Sequence, residues 1–310
     1  MVYVLLIAGF VLLIKGADLF VDGSSSIAKK LRIPGIIVGL TIVAMGTSAP
    51  EAAVSISATF KGSNEIAVGN VVGSNILNLL LVVGVSALIR PMKVDRSILK
   101  VDFPVEMISA VVLILLCMGS SPVINRIEGI ILFAMFVAYM IITIRRALKY
   151  RQNTVENPDE ETMSWLKSVL FVVIGAAAVI AGGQLTVNSA KTIAESWGVS
   201  ETLIGLTVVA LGTSLPELVT SVIAAKKGES DMALGNVIGS NIFNIFFILG
   251  MTGTIHPIKV DMVSIYDIAV LIVISVISFI FAATRKKIAR AEGVSMLVMY
   301  SAYTAYIIAR

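Results

Sequence analysis

Six residues constrain this chain more than any other feature. Gly46-Thr47-Ser48-Ala49-Pro50-Glu51 lies in the middle of an apolar stretch, 36–60, long enough to cross a bilayer. The motif returns 166 residues later as Gly212-Thr213-Ser214-Leu215-Pro216-Glu217. A carboxylate at bilayer depth is expensive, and its default reading is an ion or proton site. Pro50 has no N–H for the Gly46 carbonyl four residues back, and its ring crowds that carbonyl. Gly46 eases the bend. The helix is therefore predicted to break here and to free backbone carbonyls between Ala44 and Gly46. Thr47 and Glu51 are four apart and share a face, with Ser48 beside Thr47. Carboxylate, hydroxyls and carbonyls are all oxygen donors, the set that holds a hard cation such as Ca²⁺ or Na⁺. For one copy alone, a proline kink with a satisfied glutamate remains the alternative; the recurrence weighs against it.

The recurrence extends well beyond the six residues. A gapless shift of 166 lays 38–95 over 204–261 with about half the positions identical, and a weaker match runs back to Gly16 over Gly182. Composition says where the copies lie. The 310 residues are 57% hydrophobic and 14% charged, against about 25% charged in soluble domains. Ten apolar spans follow: 2–23, 35–60, 65–89, 101–119, 127–145, 164–187, 201–225, 231–255, 263–282 and 293–309. The first lacks a basic flank and a cleavage site and reads as a retained span. Five spans per half is an odd number, so the second half enters from the opposite side and the repeats are inverted. The predicted fold is an all-α polytopic membrane protein of ten transmembrane helices. It forms two inverted five-helix repeats with broken helices at a central site, the pattern of secondary transporters. The halves are expected at 1–150 and 164–310, joined by a linker at 151–163.

Eighteen Lys and Arg follow the odd-numbered spans and five follow the even ones. That bias puts the linker in the cytoplasm and both termini outside, in a multi-pass protein of the cell membrane. The single cysteine, Cys117, and the single histidine, His256, exclude a cysteine framework and a histidine metal site. His256 reads as a surface residue at a span end. Asp18, opposite Gln184 in the repeat, reads as interfacial. Asp95 and Asp261 read as solvated loop carboxylates. No cofactor, nucleic acid or obligate protein partner is expected, only transported ions and membrane lipid. No base or metal partner accompanies Thr47 or Ser48, so the chain is not read as an enzyme.

A second motif completes the pattern. Gly69-Asn70-Val71-Val72-Gly73-Ser74-Asn75-Ile76-Leu77-Asn78 recurs as Gly235-Asn236-Val237-Ile238-Gly239-Ser240-Asn241-Ile242-Phe243-Asn244. Ser74 and Asn78 share a helix face, as do Ser240 and Asn244. These faces are expected to complete an oxygen cage with Glu51 and Glu217, although polar glue between helices is the alternative. Gly69 and Gly73, like Gly235 and Gly239, allow close helix approach. Asn70, Asn75, Asn236 and Asn241 are expected to serve packing.

Gly-Thr-Ser-x-Pro-Glu with Gly-Ser-Asn-Ile-x-Asn, in both halves, resembles the α-repeats of the sodium/calcium exchanger family, within the cation/Ca²⁺ antiporters. The resemblance covers the whole chain. It implies a Ca²⁺ site at Glu51, Glu217, Thr47 and Thr213. It implies flanking Na⁺ sites at Ser48, Ser74 and the Ala44 carbonyl, and at Ser214, Ser240 and the Ala210 carbonyl, with Asn78 at the middle. Asn244 stands where many members carry Asp, which argues against K⁺ coupling. The resemblance thus implies an electrogenic antiporter exchanging Na⁺ for Ca²⁺ by alternating access. The rivals are a proton/Ca²⁺ exchanger and a cation channel.

Overall fold

The computed structural model describes residues 1–60, 65–118, 122–153, 162–199 and 210–309. Twelve helices of the described residues carry the fold. The first half holds α1 Val2–Leu31, α2 Gly35–Thr47, α3 Ala49–Phe60, α4 Ala67–Ile89, α5 98–117 and α6 Arg126–Asn153. The second holds α7 Trp165–Ser196, α8 Ala210–Thr213, α9 Leu215–Lys227, α10 Ser230–Ile255, α11 Met262–Arg285 and α12 Arg290–Ala309. Six of them are each long and apolar enough to cross a bilayer, and α2 with α3 makes a seventh, broken span. The remaining three expected spans coincide with α5, α8–α9 and α12. The start of the seventh span, 201–209, and the acidic end of the linker lie outside the described residues.

α1 is longer than its apolar run. It continues eight residues past the expected end, to Leu31, and stops where Arg32 turns left-handed at φ 55°, its N–H closing on the Ala28 and Lys29 carbonyls. Its repeat partner α7 is equally long, and the two pack antiparallel. Glycines spaced by seven make the contact possible: Gly9, Gly16 and Gly23 on α1 meet Gly175 and Gly182 on α7. A Cβ at Gly182 would lie 2.6 Å from the Leu13 nitrogen, and one at Gly16 would lie 2.7 Å from the Ala178 Cβ. In a bilayer, where lipid already satisfies apolar side chains, such close backbone approach is a main source of helix association. Because α1 runs on, Asp18 lies mid-helix and not near its end. With Asp22 it pairs with Lys227 of α9, at 2.6 and 2.5 Å.

The core lies elsewhere. The apolar window of α10 is 94% buried and that of α4 is 72% buried, while α6 and α7 are 28% buried and face lipid. α10 crosses α2 closely through Gly235 and Gly239, whose added Cβ atoms would lie 2.7 Å from Ile36 and Leu40 backbone atoms. This is the approach expected of the glycine pair. No described residue comes within 4 Å of a Cβ at Gly69 or Gly73; the repeat counterparts of Ile36 and Leu40 are outside the described residues.

Two short antiparallel ladders tie the halves together. Met92–Lys93 (β1) pairs with Lys287–Ile288 (β4), and Val123–Ile124 (β2) pairs with Ile258–Lys259 (β3). β1 and β3 are the two copies of Pro-x-Lys-Val, so each half lends this segment to the other. Asp95 and Asp261 end them as exposed caps, accepting the Ser97 and Ser264 N–H groups.

Candidate ion-binding site

The helices break at the serines of the repeated motif. Ser48 leaves helical geometry at φ −83° and ψ 6°, and α2 meets α3 at a 47° bend. Ser214 does the same between α8 and α9, at φ −93° and ψ 6°. Each proline then falls in the first turn of the next helix, where a missing N–H costs nothing. One expectation is corrected here. The Ala44 carbonyl is not freed by the break: it accepts the Ser48 N–H at 3.0 Å, and Thr47 Oγ1 lies 3.3 Å away. The last turn of α2 closes before the chain departs, so the acceptor that proline deprives is Gly46. The Thr47 hydroxyl also reaches the Val43 carbonyl at 3.1 Å; donating there leaves one Ala44 lone pair open. Ala210, at the repeat-equivalent position, is the first described residue of α8.

The two broken helices bring the carboxylates together across the pseudo-two-fold axis. Glu51 and Glu217 are both fully buried and close enough to repel each other. Their hydrogen bonds cross between the halves: Ser48 donates to Glu217 Oε1 at 2.7 Å, and Ser214 donates to Glu51 Oε1 at 3.4 Å. Thr47 and Ser240 also border Glu217. The second oxygen of each carboxylate, Oε2, has no hydrogen-bond partner among the described residues. Neither carboxylate has a Lys, Arg or His within 4.0 Å among the described residues.

The Ser-Asn motif supplies the rest. Thr213 Oγ1, Ser240 Oγ, Asn78 Oδ1 and Asn244 Oδ1 are buried without hydrogen-bond partners among the described residues. Ser74 is buried on the Asn78 face of α4. Bare oxygens on α4, α8 and α10 thus lie on helices that pack beside the two that carry the negative charges, α3 and α9. A Ca²⁺ ion takes six to eight oxygen ligands and tolerates irregular geometry, so this donor set suits it. It does not suit a transition metal: among the described residues no group of three or more His, Cys, Asp or Glu is assembled.

Comparisons with known proteins agree with this geometry. The family model described as "Sodium/calcium exchanger protein" matches residues 1–145 and 167–309. The chain belongs to the sodium/calcium exchanger family. It is 37% identical over 343 aligned positions to the sodium/calcium exchanger MaX1 of Methanosarcina acetivorans, covering 97% of each chain. It is 33% identical to the inner membrane protein YrbG of Escherichia coli, over 95% of this chain and 92% of that one. Among solved structures it resembles the sodium-calcium exchanger NCX_Mj soaked with zero Na⁺ and Ca²⁺. The TM-score is 0.85 at 33% identity, covering 99% of this chain and 98% of that one. The exchanger fold, with its two inverted repeats, is therefore this chain's fold, and the protein is a membrane transporter, not an enzyme.

The asparagines expected only to pack do more in this exchanger. Asn75 and Asn241 face each other on the axis, each amide nitrogen donating to the other's backbone carbonyl, at 3.1 and 3.3 Å. Their side-chain oxygens accept the Asn244 and Asn78 amides at 3.0 and 3.2 Å. Spending those N–H groups on Asn75 and Asn241 turns the Asn78 and Asn244 carbonyl oxygens to the bare side. Asn236 meets Thr47 at 3.0 Å and Ser221 at 2.9 Å, and Asn70 meets Ser55 at 3.3 Å. A signal was present in the sequence, since all four asparagines recur at the repeat offset. Replacing Asn75 by Leu removes the acceptor that orients Asn244. The apparent Ca²⁺ affinity of the folded, purified variant is expected to fall roughly tenfold, the loss of about 1–2 kcal/mol of hydrogen bonding. Calcium titration of the variant beside the parent reads this out, and an unchanged affinity would remove Asn75 from the site's support.

Proposed function

We propose that this exchanger moves Na⁺ and Ca²⁺ in opposite directions through one central site, reached alternately from each side. The observation that carries the reading is the pair of buried carboxylates, cross-bonded to the opposite halves and each left with a bare oxygen. Two carboxylates are balanced by one Ca²⁺ or by two Na⁺. Left without cations they would put two like charges in a low dielectric, which is costly. That cost disfavours crossing with an empty site and couples the two ions. Glu51, Glu217, Thr47 and Thr213 are the Ca²⁺ ligands in this reading. Ser48, Ser74 and the Ala44 carbonyl form one Na⁺ site; Ser214, Ser240 and the Ala210 carbonyl form the other. Asn78 and Asn244 lie between them. A third Na⁺ in each cycle makes exchange electrogenic.

Glu51→Gln and Glu217→Gln each remove half of the charge that balances the ion. Each is expected to lower Na⁺-driven Ca²⁺ uptake into vesicles to near background. Normal exchange in either folded variant would defeat the central-site assignment.

The two halves are 1–150 and 164–310, with 151–163 as a cytoplasmic linker and both termini outside the cell membrane. The Lys and Arg bias supports this orientation, and the break in the family match between 145 and 167 supports the division. Cys117 is the sole cysteine and is buried, so labelling has little background. A cysteine in place of Thr162 is expected to resist membrane-impermeant thiol reagents in intact cells. Rapid labelling there would invert the topology.

Exchange is proposed to proceed without K⁺. Asn244 offers a neutral carbonyl oxygen where a carboxylate would add charge to hold a further cation. Na⁺-driven Ca²⁺ flux should be equal in K⁺ and in choline. A flux that vanished in choline would show that another group supplies that charge.

A further inference from the structure

Glu106 of α5 is fully buried, and the site described above makes no use of it. Its Oε1 accepts two hydrogen bonds, from Ser275 Oγ of α11 at 2.9 Å and from Asn241 Nδ2 of α10 at 3.3 Å. Among the described residues its Oε2 has no hydrogen-bond partner and no Lys, Arg or His lies within 4.0 Å of it. Asp102, one turn earlier on α5, is different: Arg146 grips both its oxygens, at 2.6 and 3.0 Å, and Tyr139 adds a third bond at 3.1 Å. Asp102 is therefore an ion-paired lock between α5 and α6, while Glu106 faces the centre of the molecule.

What Glu106 touches there is the orienting amide. Asn241 donates one N–H to the Asn75 carbonyl and the other to Glu106, and its own oxygen accepts the Asn78 amide. An amide has two near-identical ends, and only its partners decide which end points where. A carboxyl acceptor at Glu106 requires the NH₂ end of Asn241 to face it. The Asn241 oxygen must then face Asn78, and the Asn78 oxygen must face the site. Reversing Asn241 would turn an N–H toward Asn78 and present the Asn78 amide hydrogens to the cations. The other half lacks this anchor. The offset from Glu106 falls in the apolar Leu271-Ile272 stretch of α11, and the Asn75 amide nitrogen makes its one hydrogen bond among the described residues to the Asn241 carbonyl.

We infer that Glu106 is a positioning residue for ion binding, acting as the hydrogen-bond acceptor that fixes Asn241 and, through it, the carbonyl of Asn78. The inference rests on the placing of Asn78 in the site. It makes the two middle amides unequal, with Asn78 anchored at two removes by a carboxyl and Asn244 anchored by Asn75 alone.

The experiment measures KM for Ca²⁺ and the maximal rate of Na⁺-driven uptake in vesicles. The variants are Glu106→Gln, Glu106→Met, Asn241→Leu, the Glu106→Met/Asn241→Leu double and Asn78→Ala. Glu106→Gln keeps the acceptor and is expected to hold KM within about twofold of the parent. Glu106→Met removes it at similar volume and is expected to raise KM about fivefold or more while leaving the maximal rate of the folded protein in place. The double variant is expected to be no worse than Asn241→Leu, since both changes cut one relay. A parent-like KM in Glu106→Met, a Glu106→Gln variant as impaired as Glu106→Met, or additive effects in the double would each overturn the relay. Should Glu106→Met fail to fold, Asn241→Leu and Glu106→Gln still decide: the relay requires the first to raise KM and the second to spare it. Asn78→Ala separates the two layers. If it leaves KM unchanged, the site assignment fails. If it raises KM while Glu106→Met does not, the relay alone fails.

Discussion

The structure depends on keeping two carboxylates, Glu51 and Glu217, side by side at bilayer depth. Everything near them lowers that cost without cancelling it. Each receives a serine hydroxyl on one oxygen and, among the described residues, nothing on the other. An ammonium or guanidinium at 3 Å would cancel the charge and leave nothing for a cargo ion to do. The described residues instead offer hydroxyl and amide oxygens, which cannot neutralise a carboxylate but can share a cation with it. In the proposed reading the charge deficit is left to a transported cation, and the carboxylate pair serves as a carrier site and not as a structural ion pair.

Crossing the serine bonds between halves has a mechanical consequence. Ser48 sits at the break of one discontinuous helix and Glu217 in the first turn of the other. The serine of each half bonds the carboxylate of the other. The same exchange appears at the periphery, where each copy of Pro-x-Lys-Val pairs with a strand from the opposite half. The halves are therefore interlocked at the centre and at both ends. The long α1–α7 pair, held by glycine contacts and facing lipid, lies outside that interlock. Its ties to α9 include the exposed ion pairs of Lys227 with Asp18 and Asp22, and exposed pairs contribute little, about 0–1 kcal/mol.

Much of this was legible from one repeated motif. A carboxylate in an apolar run, a proline one residue before it and an exact offset of 166 were enough to place the broken helices and the inverted halves, and to single out the oxygen donors proposed as ligands. The misses have physical causes. Asn75 and Asn241 lie off the Ser74–Asn78 face of an ideal helix, so a reading confined to one helix sends them into packing. They meet across the axis, a tertiary relation, and α4 and α10 each carry a wide π turn just beyond, at Asn78–Val82 and Phe243–Leu249, that departs from the ideal period. Glu106 escaped because the repeat was the search tool and the offset from it falls in the apolar Leu271-Ile272 stretch. The Ala44 carbonyl differs because the break does not reach back past Gly46, the acceptor that Pro50 deprives, and the Ser48 N–H closes the turn before it. α1 outran its apolar stretch because helix length follows packing against α7 and the Arg32 stop, not hydropathy alone.

The two halves carry the same site residues in unequal arrangements. Ser48 is 2.7 Å from Glu217, while Ser214 is 3.4 Å from Glu51. Thr47 meets Asn236 at 3.0 Å, while Thr213, its counterpart, has no partner among the described residues. Because the repeats are inverted, exchanging the tight and loose arrangements between halves reverses the side of the membrane that each faces. Where the residues recur, the exchanged arrangement reuses the same contacts; its energy differs through the residues that break the repeat, Asp18 opposite Gln184 among them. A ligand can shift two states only by its differential affinity for them, and reversing a 1:99 population takes about 5.5 kcal/mol. The recurring motif residues narrow the gap that ions must bridge, and the positions that differ between the halves are where the chain can set which side it favours.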